Sequence, residues 1–143
     1  MSSAFWDSSV LIPLCIVQPT SGGARQLAAA YPQIVWWGSR VEVRSAIARL
    51  YRSNSLDTGG RIIAVDTLGL LIKTWREIAP DHELRELAAG LPDQYPLRAA
   101  DSMQLAAALI WCSRKPAGRV FVCSDQRLCE AAELAGFTVV RPA

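Results

Sequence analysis

Apolar positions along this chain follow two patterns. Some form short unbroken runs of three or four residues, and others recur every third or fourth residue over longer stretches. The first pattern predicts buried strands and the second amphipathic helices. Ala4-Phe5-Trp6 is a run that stops at Asp7, which predicts a strand ending in a carboxylate. Ser8 and Ser9 then predict the cap of a helix over residues 10–17, with Pro13 tolerated near its first turn. Residues 18–23 read as a loop and 24–31 as a short amphipathic helix. Ile34-Val35-Trp36-Trp37 predicts a second strand, closed by Gly38. A long helix is expected from Val41 to about Arg52, because Val43, Ala46, Ile47 and Leu50 fall at helical spacing. Residues 53–60 break it, and 62–78 read as mostly helical, although 62–65 alone also fit a strand. Residues 81–89 predict a helix, 90–96 a turn-rich connection, and 97–112 a strong helix rich in Ala and Leu. A strand over 119–123, a helix over 126–135 with Gly136 as its C-cap, and a last strand over 137–140 complete the pattern.

Short apolar strands alternating with helices predict an α/β fold, with a mainly parallel sheet covered on both faces. The absence of repeats, linkers and low-complexity tracts makes residues 1–143 one domain. Ligands in such folds collect beyond the carboxyl ends of the strands. Asp7 and Asp125 each follow a predicted strand, on the side where sites form.

Composition narrows the class. With 51% hydrophobic and 20% charged residues, the chain is neither disordered nor an acidic tail. The longest apolar run, from Leu105 to Cys112, is far short of the ~20 residues that span a bilayer. The first six residues carry no Lys or Arg and Asp7 follows them, so no secretory signal is expected; a cytoplasmic protein without a membrane partner is. A net charge of +2 is too mild by itself to announce a nucleic-acid binder. Cys15, Cys112, Cys123 and Cys129 lie in apolar stretches without a C-x-x-C spacing, and His82 is the sole histidine. Buried free thiols are therefore expected rather than a zinc site.

Candidate chemistry rests on four acids, Asp7, Glu42, Asp101 and Asp125. Each has a structural reading. Asp7 fits the cap of the first helix, and Ser39-Arg40-Val41-Glu42 fits a capping box. Asp101 sits in the first turn of its helix, where the macrodipole favours an anion, and Asp125 is a good N-cap. Taken together, all four fall at helix amino termini that the strand–helix order can bring to one sheet edge. Two carboxylates ~5 Å apart repel by about 3 kcal/mol at an effective dielectric near 20, so four in one pocket require a cation. Oxygen donors without histidine or thiolate select a hard ion, Mg²⁺ or Mn²⁺. Such a site orients a phosphate for in-line attack.

The segments Phe5-Trp6-Asp7-Ser8-Ser9, Glu42-Val43-Arg44-Ser45-Ala46, Leu97-Arg98-Ala99-Ala100-Asp101-Ser102-Met103-Gln104-Leu105-Ala106 and Phe121-Val122-Cys123-Ser124-Asp125-Gln126-Arg127-Leu128, in this order, resemble the PIN-domain nucleases. The resemblance is to the VapC-type toxins of type II toxin–antitoxin systems, and it runs from residue 4 to about 140. It implies an αβα sandwich with a mainly parallel central sheet of four to five strands flanked by helices. It further implies a metal-dependent endoribonuclease that leaves 5′-phosphate and 3′-hydroxyl ends, homodimerisation, and neutralisation by a small cognate antitoxin. Asp7, Glu42, Asp101 and Asp125 match the family's acidic quartet, the catalytic and metal-holding positions, and Ser9 matches a small polar position near the metal. Cys123 is a departure: many members carry Thr or Ser there, which leaves Ser124 as the adjacent accessory hydroxyl.

Arg44 and Arg98 lie close in sequence to these acids and are candidates for RNA phosphates, as are Arg40, Arg49 and Arg52; a solvated basic face is the alternative. Trp36 and Trp37 are candidate base-stacking platforms, but an apolar strand makes Trp36 a core residue. His82 has no nucleophile motif beside it and reads as a surface residue. A phosphatase using Asp7 as nucleophile would need an acid at position 9, which is Ser9. A non-catalytic PIN-like module that binds RNA or protein is the competing function, and metal dependence separates it from an RNA-cleaving enzyme.

Overall fold

The computed structural model describes residues 2–142. Ala4–Trp6 (β1) lies at the centre of a five-stranded sheet, between Gln33–Trp36 (β2) and Val120–Val122 (β4). Arg76–Ile78 (β3) extends the sheet beyond β2 and Thr138–Val140 (β5) beyond β4, and all four pairings are parallel. The sequence alternation of the strands becomes two cores. Phe5, Ile34, Trp36 and Phe121 point to one face, while Ala4, Trp6, Val35 and Val122 point to the other. A strand covered on both sides has no polar face, which is why β1 reads as an unbroken apolar run.

Ser8–Cys15 (α1), Ser21–Ala30 (α2), Ser39–Arg52 (α3) and Thr58–Ile72 (α4) cover the Trp6 face, through Val10, Leu11, Ala24, Val43, Ile47, Ala64 and Leu68. His82–Gly90 (α5), Ala99–Trp111 (α6) and Gln126–Ala135 (α7) cover the Phe5 face, through Leu84, Leu105 and Leu128. A single 3-10 turn, Leu91–Asp93, joins α5 to the approach of α6. Phe5 and Phe121 stack with centroids 5.4 Å apart, and Phe121 meets Phe137 at the same distance. Burying each such ring stabilises the fold by about 1.5–3 kcal/mol. The expected αβα sandwich is thus present, with five strands and, among the described residues, seven α-helices.

Several local expectations are corrected. The stretch 62–78 is not one helix. α4 stops at Ile72, and Arg76–Ile78 forms an edge strand in which only Ile78 is buried, so it lacks the apolar run that marks the inner strands. Trp75 holds this junction by donating its indole N–H to Gln33 Oε1 at 2.6 Å. α4 itself begins inside the predicted break, because Asp57 accepts from the Gly60 N–H at 2.7 Å and caps it. α2 starts at Ser21 and runs through Gly22 and Gly23, which were expected in a loop. Gly23 serves close approach there: a Cβ would fall 1.4 Å from the Pro142 carbonyl oxygen. As expected, Gly136 adopts the left-handed conformation (φ 115°) that closes α7. All four cysteines are free and buried, and His82 is exposed. Among the described residues no helix is long and apolar enough to cross a membrane.

Candidate functional site

The chain moves from β1 to β2 and β3 on one side and from β4 to β5 on the other, so the strand order reverses between β1 and β4. A crevice opens at such a switch point, beyond the carboxyl ends of the strands. Asp7 stands at that point. Its N–H donates to Val122 O at 2.9 Å, continuing the ladder from β4 by one residue, and its side chain turns back to cap α1 by accepting from the Ser9 N–H at 3.1 Å. The capping expected of Ser8 and Ser9 therefore belongs to Asp7, which releases both serines for other contacts.

Asp7 is 5% exposed. Burial raises its pKa to about 6, the bonds from Ser9 oppose the rise, and the charges of Glu42 and Asp101 add to it. Asp101, in the first turn of α6, is also raised, first by burial and then by the charge of Asp125; a backbone bond from Arg98 and the charges of Arg98 and Arg127 counteract this. Asp125 caps α7 by accepting from the Leu128 N–H at 2.9 Å. Four acids spread over 119 positions of sequence are thus electrostatic neighbours, linked as Glu42–Asp7–Asp101–Asp125.

Glu42 does not form the expected capping box. Gly38 is the N-cap of α3 and makes no side-chain cap, while Ser39 is fully buried inside the first turn. The Glu42 carboxylate accepts instead from the Ser8 hydroxyl and, at 3.0 Å, from Gln104 Nε2. Gln104 Nε2 also reaches Ser8 Oγ at 3.1 Å and Ser39 Oγ at 3.2 Å. Sequence reasoning missed this role of Gln104, Ser8 and Ser39. A signal was present: Gln104 is a long polar side chain at the head of the apolar run Leu105, Ala106, Ala107 and Ala108, buried in α6 together with Ser102.

Ser9 and Ser124, expected as accessory hydroxyls, bind each other's segments. The Ser124 N–H donates to Ser9 Oγ at 3.0 Å and the Ser124 hydroxyl to Ser9 O at 3.4 Å, tying the start of α1 to the loop after β4. The thiol of Cys123 occupies the position of the missing hydroxyl, with Sγ 3.7 Å from Asp7 Oδ2 and 3.6 Å from Asp125 O. Its pKa is raised by its contact with Cys129, by burial and by the Asp7 charge, so it remains a protonated donor. Arg98 is exposed beside Asp101, as a phosphate contact requires. Arg44 is exposed on α3, where it lines a cleft with Arg52, Arg61 and Tyr51.

The donors at the site are carboxylate oxygens, with no imidazole among them. Among the described residues no three carboxylate, thiol or imidazole groups converge into a ready-made cage. Nor do the ion pairs of the described residues, Arg40–Glu77, His82–Glu86 and Arg141–Glu133, involve any of the four acids. A buried carboxylate at Asp7 without a cationic partner, flanked by further acids, fits Mg²⁺, which keeps several waters and takes only one or two carboxylates directly.

No family model matches the chain, and no curated protein matches it in sequence. Solved structures do. A toxin–antitoxin complex from Klebsiella pneumoniae superposes with a TM-score of 0.65 and 20% identity, covering 99% of this chain and 98% of the other. PAE2754 from Pyrobaculum aerophilum gives 0.66 and 15% identity, covering 96% and 89%. FitAcB from Neisseria gonorrhoeae gives 0.64 and 14% identity, covering 97% of each chain. At these identities the similarity is one of fold, and the fold is a PIN-like α/β sandwich with an all-parallel sheet.

Proposed function

We propose that this chain is a metal-dependent endoribonuclease, the toxin of a toxin–antitoxin pair. The observation that carries the reading is Asp7: a buried carboxylate at the sheet's switch point, surrounded by the charges of Glu42 and Asp101 and paired with no basic side chain. A toxin–antitoxin complex among the structures of the same fold supports it. Asp7, Asp101, Asp125 and Glu42 are the residues that would hold Mg²⁺ or Mn²⁺. When bound, the ion supplies Lewis-acid chemistry, polarising a phosphodiester and acidifying the attacking water. The chain's own contribution is position. The Val122 ladder and the Ser9 cap hold Asp7, Gln104 and Ser8 orient Glu42, and Arg98 offers a guanidinium to the phosphate beside Asp101. A small antitoxin that covers the acidic groove and a homodimeric toxin complete the proposal.

The test uses the purified chain and Asp101→Asn in parallel, each incubated with total RNA plus Mg²⁺, Mn²⁺ or EDTA, with the cleaved ends sequenced. Discrete cuts that need metal, leave 5′-phosphate ends and vanish in the variant are the expected result. A folded protein that cuts nothing under either metal would be a non-catalytic binding module. The lack of a ready-made cage among the described residues is the observation that favours that second reading.

A further inference from the structure

Trp37 is 54% exposed although it directly follows a buried strand. Its backbone is fixed, since the Trp37 N–H donates to Ile78 O at 3.0 Å and extends the β2–β3 ladder by one residue. Its ring stands edge-on against the buried indole of Trp36, with centroids 6.2 Å apart and planes at 65°. Gly38 keeps that arrangement open, because a Cβ there would fall 2.6 Å from Trp36 Nε1. The result is an exposed aromatic side chain on an anchored backbone, with one ring edge against Trp36.

This side chain forms one wall of a cleft of about 580 Å³, whose other walls include Val41, Glu42, Arg49 and Ala100. Glu42 belongs to the acidic site, so the cleft borders that site at Glu42. It shares the walls Val41 and Ser45 with a second cleft of about 430 Å³, which Arg44, Arg52, Arg61 and Tyr51 also line. The two clefts therefore adjoin, giving a path along the surface from Glu42 past the exposed Trp37 indole and Arg49 to the arginines of the second cleft.

We infer that the Trp37–Arg49 cleft is a nucleobase subsite, in which one base of a single-stranded RNA stacks on the Trp37 indole while Arg49 holds the adjacent phosphate. The inference rests on the reading of the acidic site as a nuclease centre. Stacking on an aromatic side chain and charge pairing along a basic groove are the two interactions by which proteins hold single strands, and both need unpaired, splayed bases. The arginines that continue the path beyond the cleft complement a polyanion running through it.

The experiment measures binding in the Asp101→Asn background, which spares the RNA, with Mg²⁺ present. The probes are a fluorescein-labelled single-stranded oligoribonucleotide and an abasic oligomer of equal length. Trp37→Ala is expected to weaken the base-bearing probe roughly ten- to a hundredfold and to leave the abasic probe unchanged, while Trp37→Phe retains most of the affinity. Arg49→Gln is expected to weaken both probes and to lower the salt dependence by about one phosphate contact. Equal affinity of Trp37→Ala and its parent for the base-bearing probe would overturn the subsite and leave the nuclease reading standing. Loss of binding to a co-purifying protein partner, with RNA affinity intact, would overturn it in favour of a protein-docking cleft. If the unmodified chain neither binds nor cuts RNA with Mg²⁺ or Mn²⁺, the functional reading falls and the subsite with it. Should Trp37→Ala fail to fold, Arg49→Gln still decides, because Arg49 is exposed: unchanged affinity for both probes would overturn the subsite.

Discussion

Gln104 Nε2 lies 3.0 Å from Glu42 Oε1, and through this contact a helix of one layer holds an acid carried by a helix of the other. Nothing in the local sequence of α3 supplies a partner for Glu42, since its capping role is vacant and Ser39 faces inward. The amide thus works as a positioning group. Gln104→Leu is expected to lower the affinity for Mn²⁺ about ten- to a hundredfold, as loss of a side chain that orients a metal-holding group typically does. The fold should also lose about 1–3 kcal/mol, because the substitution removes the donor to Ser8, Ser39 and Glu42, offset only in part by losing an unpartnered amide oxygen. Calorimetric titration of Mn²⁺ beside a thermal melt checks both. Unchanged metal affinity would reduce Gln104 to a packing role.

Asp7 places function against stability. Its native pKa of about 6 lies above the ordinary carboxylate value of 3.8. Between these values the native chain binds a proton that the unfolded chain does not, so the stability of the metal-free protein should rise as pH falls from 7 towards 4. Above pH 6 the cost of the buried charge is present in full, about 3 kcal/mol from a shift of roughly two units. Asp7→Asn removes the charge and still caps α1, since Asn is as good an N-cap as Asp. We expect this variant to melt higher than its parent at pH 7, to lose the pH slope, and to lose metal-dependent cleavage. Melting curves across pH in EDTA test the sign. A variant less stable than its parent at pH 7 would show that the Asp7 charge is already compensated.

Cys123 tunes the same carboxylate. A hydroxyl makes a shorter and stronger bond to a carboxylate than a thiol does, and a bond to the charged form lowers the pKa. Cys123→Ser should therefore preserve cleavage and move the acid limb of its pH profile downward, whereas Cys123→Ala, which removes the donor 3.7 Å from Asp7 Oδ2, should move it upward. Identical profiles for all three proteins would show that the thiol contributes only packing.

Two neighbouring glycines of α2 should respond in opposite ways. At Gly22 the nearest atom to a new Cβ is the flexible end of Arg25 at 4.0 Å, so Gly22→Ala should stabilise the fold by about 0.5–1 kcal/mol through helix propensity. At Gly23 the Cβ would strike backbone, the Pro142 carbonyl at 1.4 Å, and no side-chain rotation relieves that. Gly23→Ala should cost about 1–3 kcal/mol and free the carboxyl-terminal segment, visible as faster carboxypeptidase trimming. If both variants stabilise equally, the segment does not pack on α2.

Much of this architecture is legible in the sequence by itself. The unbroken run Ala4-Phe5-Trp6 determines a doubly covered strand because no polar side chain is there to face water. Asp125 determines the start of α7 and Gly136 its end, because an N-cap oxygen and a left-handed glycine act over only three or four residues. The four acids are nameable for the same reason, as carboxylates at or near helix starts, three of them at helices that directly follow a strand. The tertiary structure alone decided what these residues face. β3 was hidden because an edge strand with one buried residue takes its identity from its neighbour in the sheet rather than from its own apolarity. Glu42 was read as a cap because the local rule cannot anticipate Gln104, 62 positions away. Cys123 reaches Asp7 across 116 positions, and Trp37 is left exposed while Trp36 is buried, because β2 and its helical cover end at Trp36. Short-range hydrogen bonds and hydrophobic periodicity are written in adjacent residues. The electrostatic neighbourhood of a carboxylate is set by chain segments that only the closed sheet brings together.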